Sequence, residues 1–366
     1  NGALHAECAA WPRPLDYERP EGEQIELFVA RIRATGADPA LDAMTVINGG
    51  PGGSSVDMLV DFLPALNAIS LERDIIVVDQ RGTGESSRMD CPVDDDLVEG
   101  QYSTELTIEY TNECLQQLPF DPRFFTTSVA VTDLEAVRVA LGYPSLNLYG
   151  VSYGSRVAQH FARRYPSSTR TVILDGVVPP QVSLGPEIAT KSQRAVDNIL
   201  ARCAEDPACN DAFPDVRATF RRVVAELRES PVTIDMPHPN TGRLEKRVFG
   251  QSELAVAVRL LAYQPNSIAL RPRLTHEAGA GNFVPLGSQF MMTMIAMRDT
   301  LSLGMHNAVM CTEDRPFYDS TAIDYDGIAR TYMGIMQLKA LEAICSVWPA
   351  GPIDPEFKTP LSTDLP

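Results

Sequence analysis

Gly150-Val151-Ser152-Tyr153-Gly154 is the stretch of this 366-residue chain whose residue types and spacing could do chemistry most directly. A serine hydroxyl is a weak nucleophile until a base takes its proton and fixed donors stabilise the oxyanion formed by its attack. A short apolar segment, Leu146-Asn147-Leu148-Tyr149, precedes the pentapeptide. After it, Val157 and Phe161 sit four apart, as do Ala158 and Ala162, so a buried helical face can begin at once. Strand, sharp turn and helix is the setting in which a G-x-S-x-G turn exposes its serine above a sheet. The five-residue pattern alone also fits an ordinary tight turn. The flanking elements are what select Ser152 as the nucleophile.

The oxyanion donors follow from the same logic. One is the backbone N–H of Tyr153, the residue after the nucleophile. The other is expected from Asn48-Gly49-Gly50-Pro51-Gly52-Gly53-Ser54-Ser55, which follows the short buried strand Met44–Ile47. Gly50 is the expected donor, because a glycine lets the backbone approach a substrate carbonyl. A glycine-rich loop can instead cradle phosphate, but the G-K-[ST] ending of a Walker A loop is absent.

The elements around these residues read as alternating strands and helices. Ile25–Ile32 predicts a strand in an antiparallel hairpin, and Asp74–Asp79 predicts a second buried strand ending in the turn Gln80-Arg81-Gly82-Thr83-Gly84. Residues 86–125 look irregular, with one short helix near Cys114. Thr132 and Glu135 have capping-box spacing, with Ser128 as an earlier start, and Gly142 is a suitable stop. Thr171–Asp175 predicts another buried strand. Such alternation predicts a mostly parallel sheet flanked by helices. After Pro180 the pattern turns helical, over 187–229, 252–263 and 287–304. The expected organisation is a core over 1–180, a mainly helical cap over 181–310 lying across the strand ends, and a return to the core over 311–366.

Composition narrows the function. A net charge of -17 and a pI near 4.7 disfavour nucleic acid and anionic membrane surfaces as partners. No run of about 18 apolar residues occurs, so no membrane span is expected. Seven cysteines lack any C-x-x-C pair, which disfavours zinc and thioredoxin-like chemistry. Neither metal nor cofactor is expected. Cys203 and Cys209 bracket a short Pro-containing loop and are expected to pair. Cys91 with Cys114, and Cys311 with Cys345, are the further expected disulfides, leaving Cys8 over. Disulfides imply an oxidising compartment, hence a secreted or periplasmic protein; buried free thiols in a cytosolic chain are the alternative.

Asn48–Gly53, Asp79-Gln80-Arg81-Gly82-Thr83-Gly84-Glu85-Ser86, Gly150–Gly154 and Leu174-Asp175-Gly176 occur in that order. In this combination the sequence resembles the α/β-hydrolase serine peptidases of the proline iminopeptidase and tripeptidyl aminopeptidase family. Gly304–Pro316 and Cys345–Pro349 resemble its secreted tripeptidyl aminopeptidase branch. The resemblance spans roughly residues 5–360. Asn48 departs from it, since histidine is frequent there, and tuning of the oxyanion loop is expected. The resemblance implies an α/β-hydrolase fold and an exopeptidase that acts from a free peptide N-terminus. A substrate ammonium needs a fixed carboxylate, and Glu313 is the expected anchor, with Asp314 beside it. Pairing with Arg315 or helix capping is the alternative role for both.

The family's chain order, Ser then Asp or Glu then His, leaves the base unassigned. His160 lies eight residues along the helix from Ser152, roughly 12 Å by helical rise. His238 sits in a Pro-rich loop, and His276 and His306 fall in the cap. Asp175 follows a strand end, as an acid or as a structural turn residue. The catalytic Asp and His are therefore not found in this chain, whose sequence ends where the seventh strand is expected, and the sixth strand would be left as an apolar edge. On this reading the missing C-terminal segment is either a separate, tightly associated polypeptide, which would then be a partner, or has been cut off or left out of this chain. The competing readings are an esterase or lipase-like hydrolase and a non-catalytic peptide-binding fragment. The sequence leaves residue preference, the number of residues released and the oligomeric state undetermined.

Overall fold

The computed structural model describes residues 5–91, 103–263 and 265–366. Strands β1 (Glu7–Pro14) and β2 (Gln24–Ile32) form an antiparallel pair. They are followed by β3 (Ala43–Ile47), α1 (Ser55–Leu66), β4 (Asp74–Val78), α2 (Thr104–Gln117) and α3 (Thr127–Leu141). Next come β5 (Leu146–Val151), α4 (Tyr153–Arg164) and β6 (Thr169–Asp175). The six strands lie in the order β1-β2-β4-β3-β5-β6, and β4, β3, β5 and β6 run parallel. All five side chains of β3 are buried, as expected of a parallel strand covered on both faces. Helix α1 packs Leu59 and Leu66 on one face, against Met44, Val46, Ile75 and Val77. Helices α3 and α4 cover the other face with Val131, Leu134, Val137, Val157 and Phe161.

The cap follows as α5 (Ile188–Glu205), α6 (Pro207–Ala212), α7 (Val216–Glu229), strands β7 (Val232–Pro237) and β8 (Leu244–Phe249), α8 (Gln251–Leu260), α9 (Pro265–Gly279) and α10 (Val284–Thr300). Its apolar side chains, including Val196, Leu200, Phe220, Val223, Leu254 and Phe290, converge on a cluster of their own. The chain then runs through α11 (Leu303–Val309), a π-helical turn over Met310–Asp314, α12 (Tyr325–Arg330) and α13 (Met336–Val347).

Several expectations need correction. The cap contains an antiparallel hairpin, β7–β8, and the helix α9, neither of which was expected from the sequence. Helix α3 starts at Thr127 with Thr126 as its N-cap residue. The Thr132–Glu135 box does not exist there: Thr132 lies inside the helix and its hydroxyl donates back to Ser128 O at 3.3 Å. The stop at Gly142 is a left-handed residue, φ 77°. The helix near Cys114 is 14 residues long; residues 92–102 of the segment expected to be irregular lie outside the described residues. The return to the core at 311 is only partial. Ile328, Tyr332, Met333 and Leu338 pack into the cap cluster, whereas Met305, Val309, Cys311 and Trp348 pack under the sheet. On the outer side of β6, Val172 N–H donates to Pro366 O at 2.9 Å.

Disulfides Cys91–Cys114, Cys203–Cys209 and Cys311–Cys345 form, with Cα separations of 5.0, 5.1 and 4.9 Å. Cys8 is free and exposed. Among the described residues no helix is long and apolar enough to cross a membrane.

The turn after β4 is held by a fully buried cation. Arg81 pairs with Asp133 of α3 through Nε–Oδ2 at 2.6 Å and Nη2–Oδ1 at 2.8 Å. It also donates to the carbonyls of Pro14, Leu15 and Phe124. Asp133→Asn leaves this guanidinium without its counter-charge. It is expected to lower the unfolding free energy by about 3–5 kcal/mol, read from the urea midpoint at unchanged m-value. A loss below about 1 kcal/mol, the surface-pair range, would show that the pair carries little of the fold.

Candidate active site

Strand β5 delivers Ser152 to the sheet's end, where it adopts φ 55° and ψ -123°. A non-glycine residue in so sparsely populated a region costs about 1–3 kcal/mol and needs outside support. That support comes from Ser152 N–H donating to Asp175 O at 2.8 Å, and from Ser155, whose N–H (2.9 Å) and hydroxyl (2.5 Å) both reach Ser152 O. The flanking glycines are steric necessities. A Cβ on Gly154 would lie 2.1 Å from Ile47 O, and one on Gly150 would lie 2.3 Å from Gly154 O. Ser152 is exposed, and its hydroxyl has no hydrogen-bond partner among the described residues.

The glycine-rich loop lies directly against the serine. A Cβ on Gly49 would be 2.7 Å from Ser152 Cβ and 3.2 Å from Oγ. Gly49 N–H is taken by its neighbour Asn48, Oδ1 at 2.6 Å, and Asn48 Nδ2 donates to Ser54 O at 2.7 Å. Asn48 therefore fastens the loop from both sides. By contrast, the N–H groups of Gly50 and Tyr153 meet no acceptor among the described residues. Asp79 secures the loop's exit, accepting from Ser54 Oγ at 2.9 Å and Val56 N at 3.0 Å; burial pushes its carboxyl above the ordinary value.

Glu313 and Asp314 are not placed to anchor a substrate amine, and that expectation is corrected. Both are fully buried. Glu313 Oε1 accepts from Thr127 N at 2.6 Å and Oε2 from Thr127 Oγ1 at 2.8 Å, so the carboxylate sits at the N-terminus of α3, where a negative charge is favoured. Asp314 takes Arg156 in a two-point pair at 2.9 and 3.0 Å and accepts from Leu184 N at 2.9 Å. These residues cap and clamp, the alternative role that their sequence position allowed.

Among the described residues no histidine is hydrogen-bonded to the Ser152 side chain. His160 Nε2 lies 2.9 Å from Asp354 Oδ2 and 3.3 Å from Ser128 Oγ. A serine–histidine–carboxylate relay uses the two ring nitrogens separately, and here one nitrogen faces both partners. Burial lowers this imidazole to about 4, against the pull of Asp354, so it is neutral at pH 7 and donates to the carboxylate. His306 Nδ1–H donates to Pro51 O at 3.0 Å, bracing the glycine-rich loop from α11, and burial pushes its pKa down. His238 accepts two turn N–H groups, and His276 stands edge-on to Phe213. His5 is exposed. Asp175 accepts from Tyr149 OH at 2.6 Å; burial, reinforced by this carboxylate, pushes that phenol up to about 12, and through its carbonyl Asp175 also holds Ser152, a structural duty.

Sequence reasoning missed three contributors. Thr127 and Gln80 both reach Tyr153 Oη, at 2.5 and 3.1 Å. Leu301 covers Gly50: a Cβ there would lie 2.9 Å from Leu301 Cδ1. Gly53 pairs with Leu301 and Ser302 N–H donates to Gly52 O at 2.9 Å, so the cap is stitched to the loop. Leu301 also lines a 430 Å³ cavity with Met236, Phe290, Met291, Met294 and Met297. Methionine-rich walls adapt to varied apolar groups. The pairing of Gln80 with the residue after the serine left no periodic trace, although its motif, Asp79–Ser86, was visible.

Comparison with known proteins gives the following. The profile of the α/β hydrolase fold matches residues 42–222. Serine protease Hip1 of Mycobacterium tuberculosis is 28% identical over 390 aligned positions, covering 96% of this chain and 72% of its own length. Tripeptidyl aminopeptidase of Streptomyces coelicolor is 30% identical over 191 positions, 48% of this chain and 35% of its own. Carboxylesterase B of M. tuberculosis is 32% identical over 227, covering 56% and 43% respectively.

Burial raises the Glu313 carboxyl from 4.5 to about 7, opposed by Arg156 and Thr127 and reinforced by Asp314. A raised folded-state pKa means that the proton favours the folded state. This contribution is complete below about pH 4.5 and is lost as pH rises through about 7. Glu313→Gln is therefore expected to gain stability relative to the parent between pH 5 and pH 8 in urea titrations. A constant difference across that range would show that Glu313 does not titrate there.

Proposed function

We propose that this chain, an α/β-hydrolase-fold serine hydrolase similar to the serine peptidases Hip1 and tripeptidyl aminopeptidase, cleaves peptides through an acyl-enzyme on Ser152. The observation that carries the reading is the strained, exposed Ser152 flanked by two unengaged N–H donors, on Tyr153 and Gly50. Ser152 Oγ attacks the scissile carbonyl while a general base takes the hydroxyl proton. The oxyanion forms against the two donors. Collapse breaks the C–N bond, and the proton passes to the leaving amine. Water then hydrolyses the ester by the same route. Each of the five histidines is engaged elsewhere or exposed, so the base is the element that this reading still requires. The finer reading is an aminopeptidase of the tripeptidyl or prolyl type, supported by the named relative and by the sequence motifs; with Glu313 and Asp314 buried, its amine anchor must be another group. Three disulfides support an exported protein.

Ester hydrolysis is the second reading, favoured by the similarity to carboxylesterase B. Free-amine peptide anilides, their N-acetylated forms and p-nitrophenyl esters distinguish the readings when assayed side by side. The expected order is free peptide above acetylated peptide, with esters lacking any preference for a free amine. Equal cleavage of acetylated and free peptides would remove the exopeptidase reading and leave a peptidase without amine recognition.

Ser152→Ala is expected to abolish whatever turnover and fluorophosphonate labelling the parent shows, with unchanged circular dichroism. Undiminished turnover in that variant would sink the assignment.

A further inference from the structure

Glu313 does not reach a substrate, yet a directed chain of hydrogen bonds joins it to the residue after the nucleophile. Gln80 Nε2 donates to Tyr153 Oη at 3.1 Å. Thr127 Oγ1 donates to Glu313 Oε2 at 2.8 Å, so in its 2.5 Å contact with Tyr153 Oη it must accept. Each hydroxyl then has one role: Tyr153 accepts from Gln80 and donates to Thr127, and Thr127 accepts from Tyr153 and donates to the carboxylate. Thr127 N–H occupies the other carboxylate oxygen. All of Thr127, Tyr153 and Glu313 are buried, so water does not substitute for a missing partner.

We propose that Glu313 is a positioning residue whose carboxylate sets the direction of this chain and so fixes Tyr153, holding its backbone N–H toward the acyl oxygen above Ser152. The inference rests on the reading of Ser152 as the acyl-forming nucleophile. A strained turn keeps its conformation only when its surroundings dictate it, and the Tyr153 side chain is the part of the turn most deeply held. Neutralising Glu313 defeats the chain whichever oxygen takes the proton. A proton on Oε1 would face Thr127 N–H, donor against donor. A proton on Oε2 would turn Thr127 Oγ1–H toward Tyr153, and Tyr153 O–H toward the Gln80 amide hydrogens. The groups facing Glu313 are Thr127 from α3, Arg156 and Tyr153 from α4, its neighbour Asp314, and Lys358 from the C-terminal segment. With the carboxyl raised to about 7, the ordered chain is present above that pH and lost below it.

The test uses Glu313→Gln, Tyr153→Phe and the double variant, assayed on a free-amine peptide anilide from pH 5.5 to 8.5. Outright loss of one oxyanion donor costs about 10²–10³-fold in kcat, so loosening one is expected to cost about tenfold, with KM unchanged within about twofold. The double variant should be no slower than the slower single, and the parent's rise in kcat near pH 7 should lose its Glu313 component in Glu313→Gln. Additive losses, or a rise in KM alone as an amine anchor would give, overturn the proposal. Should Glu313→Gln fold poorly, Thr127→Val breaks the same chain and is held to the same outcomes. Failure of the underlying reading is separately visible as a parent protein that neither turns over nor takes fluorophosphonate at Ser152. The chain is then judged by amide exchange of the elbow peptide: lower protection in the variants supports it, and unchanged protection overturns it.

Discussion

A backbone approach too close for any side chain governs this molecule. Helix α4 begins so near β3 that only hydrogen fits at Gly154, 2.1 Å from Ile47 O for a hypothetical Cβ. That closeness forces the chain to reverse within a single residue, and Ser152 absorbs the reversal at φ 55°. It also brings the end of β3, and with it the glycine-rich loop, against the serine. One packing constraint thus creates the exposed, strained Ser152, the free N–H at the start of α4 and the neighbouring loop together.

The supports around that turn explain which sequence motifs are catalytic and which are structural. Asp79 joins the β4 turn to the loop's exit through Ser54 and Val56, and Arg81 joins the same turn to α3. Neither group faces a substrate. The motif that accompanies the elbow in sequence is therefore scaffold, although Gln80 within it reaches Tyr153. Asn48 acts as a brace: its amide ties both ends of the loop and leaves the Gly50 N–H free.

The sheet and the elbow were legible because they follow local rules. Buried parallel strands read as apolar runs, and the two glycines bracket the serine at fixed spacing. The hairpin β7–β8 was missed although Val232, Ile234 and Met236 alternate with Thr233, Asp235 and Pro237 as a half-buried strand should; its partner Leu244–Phe249 is half charged, and the helical patterns on either side drew the segment into a helical reading. Thr132 misled about the start of α3, whereas the earlier start at Ser128 falls one residue inside it; the first N–H of that helix is satisfied by Glu313, 186 residues away. The same long-range contact explains the misplaced amine anchor. Two adjacent carboxylates after a cysteine look available in sequence. Only the fold shows that one is bound to α3 and the other to Arg156.

Arg156 shows how the cap's position is tied to the chemistry. It lies on the elbow helix, one turn from the serine, and its guanidinium holds Asp314 on the returning chain and Val182 O on the departing one. Asp314 in turn accepts from Leu184 N and is approached by Lys358 Nζ at 3.5 Å. The place where the chain leaves for the cap and the place where it comes back are therefore clamped to one side chain. A buried ion pair contributes little net stability when replaced by well-packed apolar groups, but breaking it leaves an uncompensated charge. Its role here is better understood as geometry. Any rotation of the cap that moved residues 182–184 relative to 313–314 would have to strip hydrogen bonds from a fully buried guanidinium. The wall carrying Leu301 and the methionine-lined cavity is consequently set from the same helix that presents Ser152. Glu313, beside Asp314, brings the capped start of α3 into that arrangement and becomes less stabilising as it ionises. Stability and the ordered state of the elbow thus favour opposite protonation states of one carboxyl group.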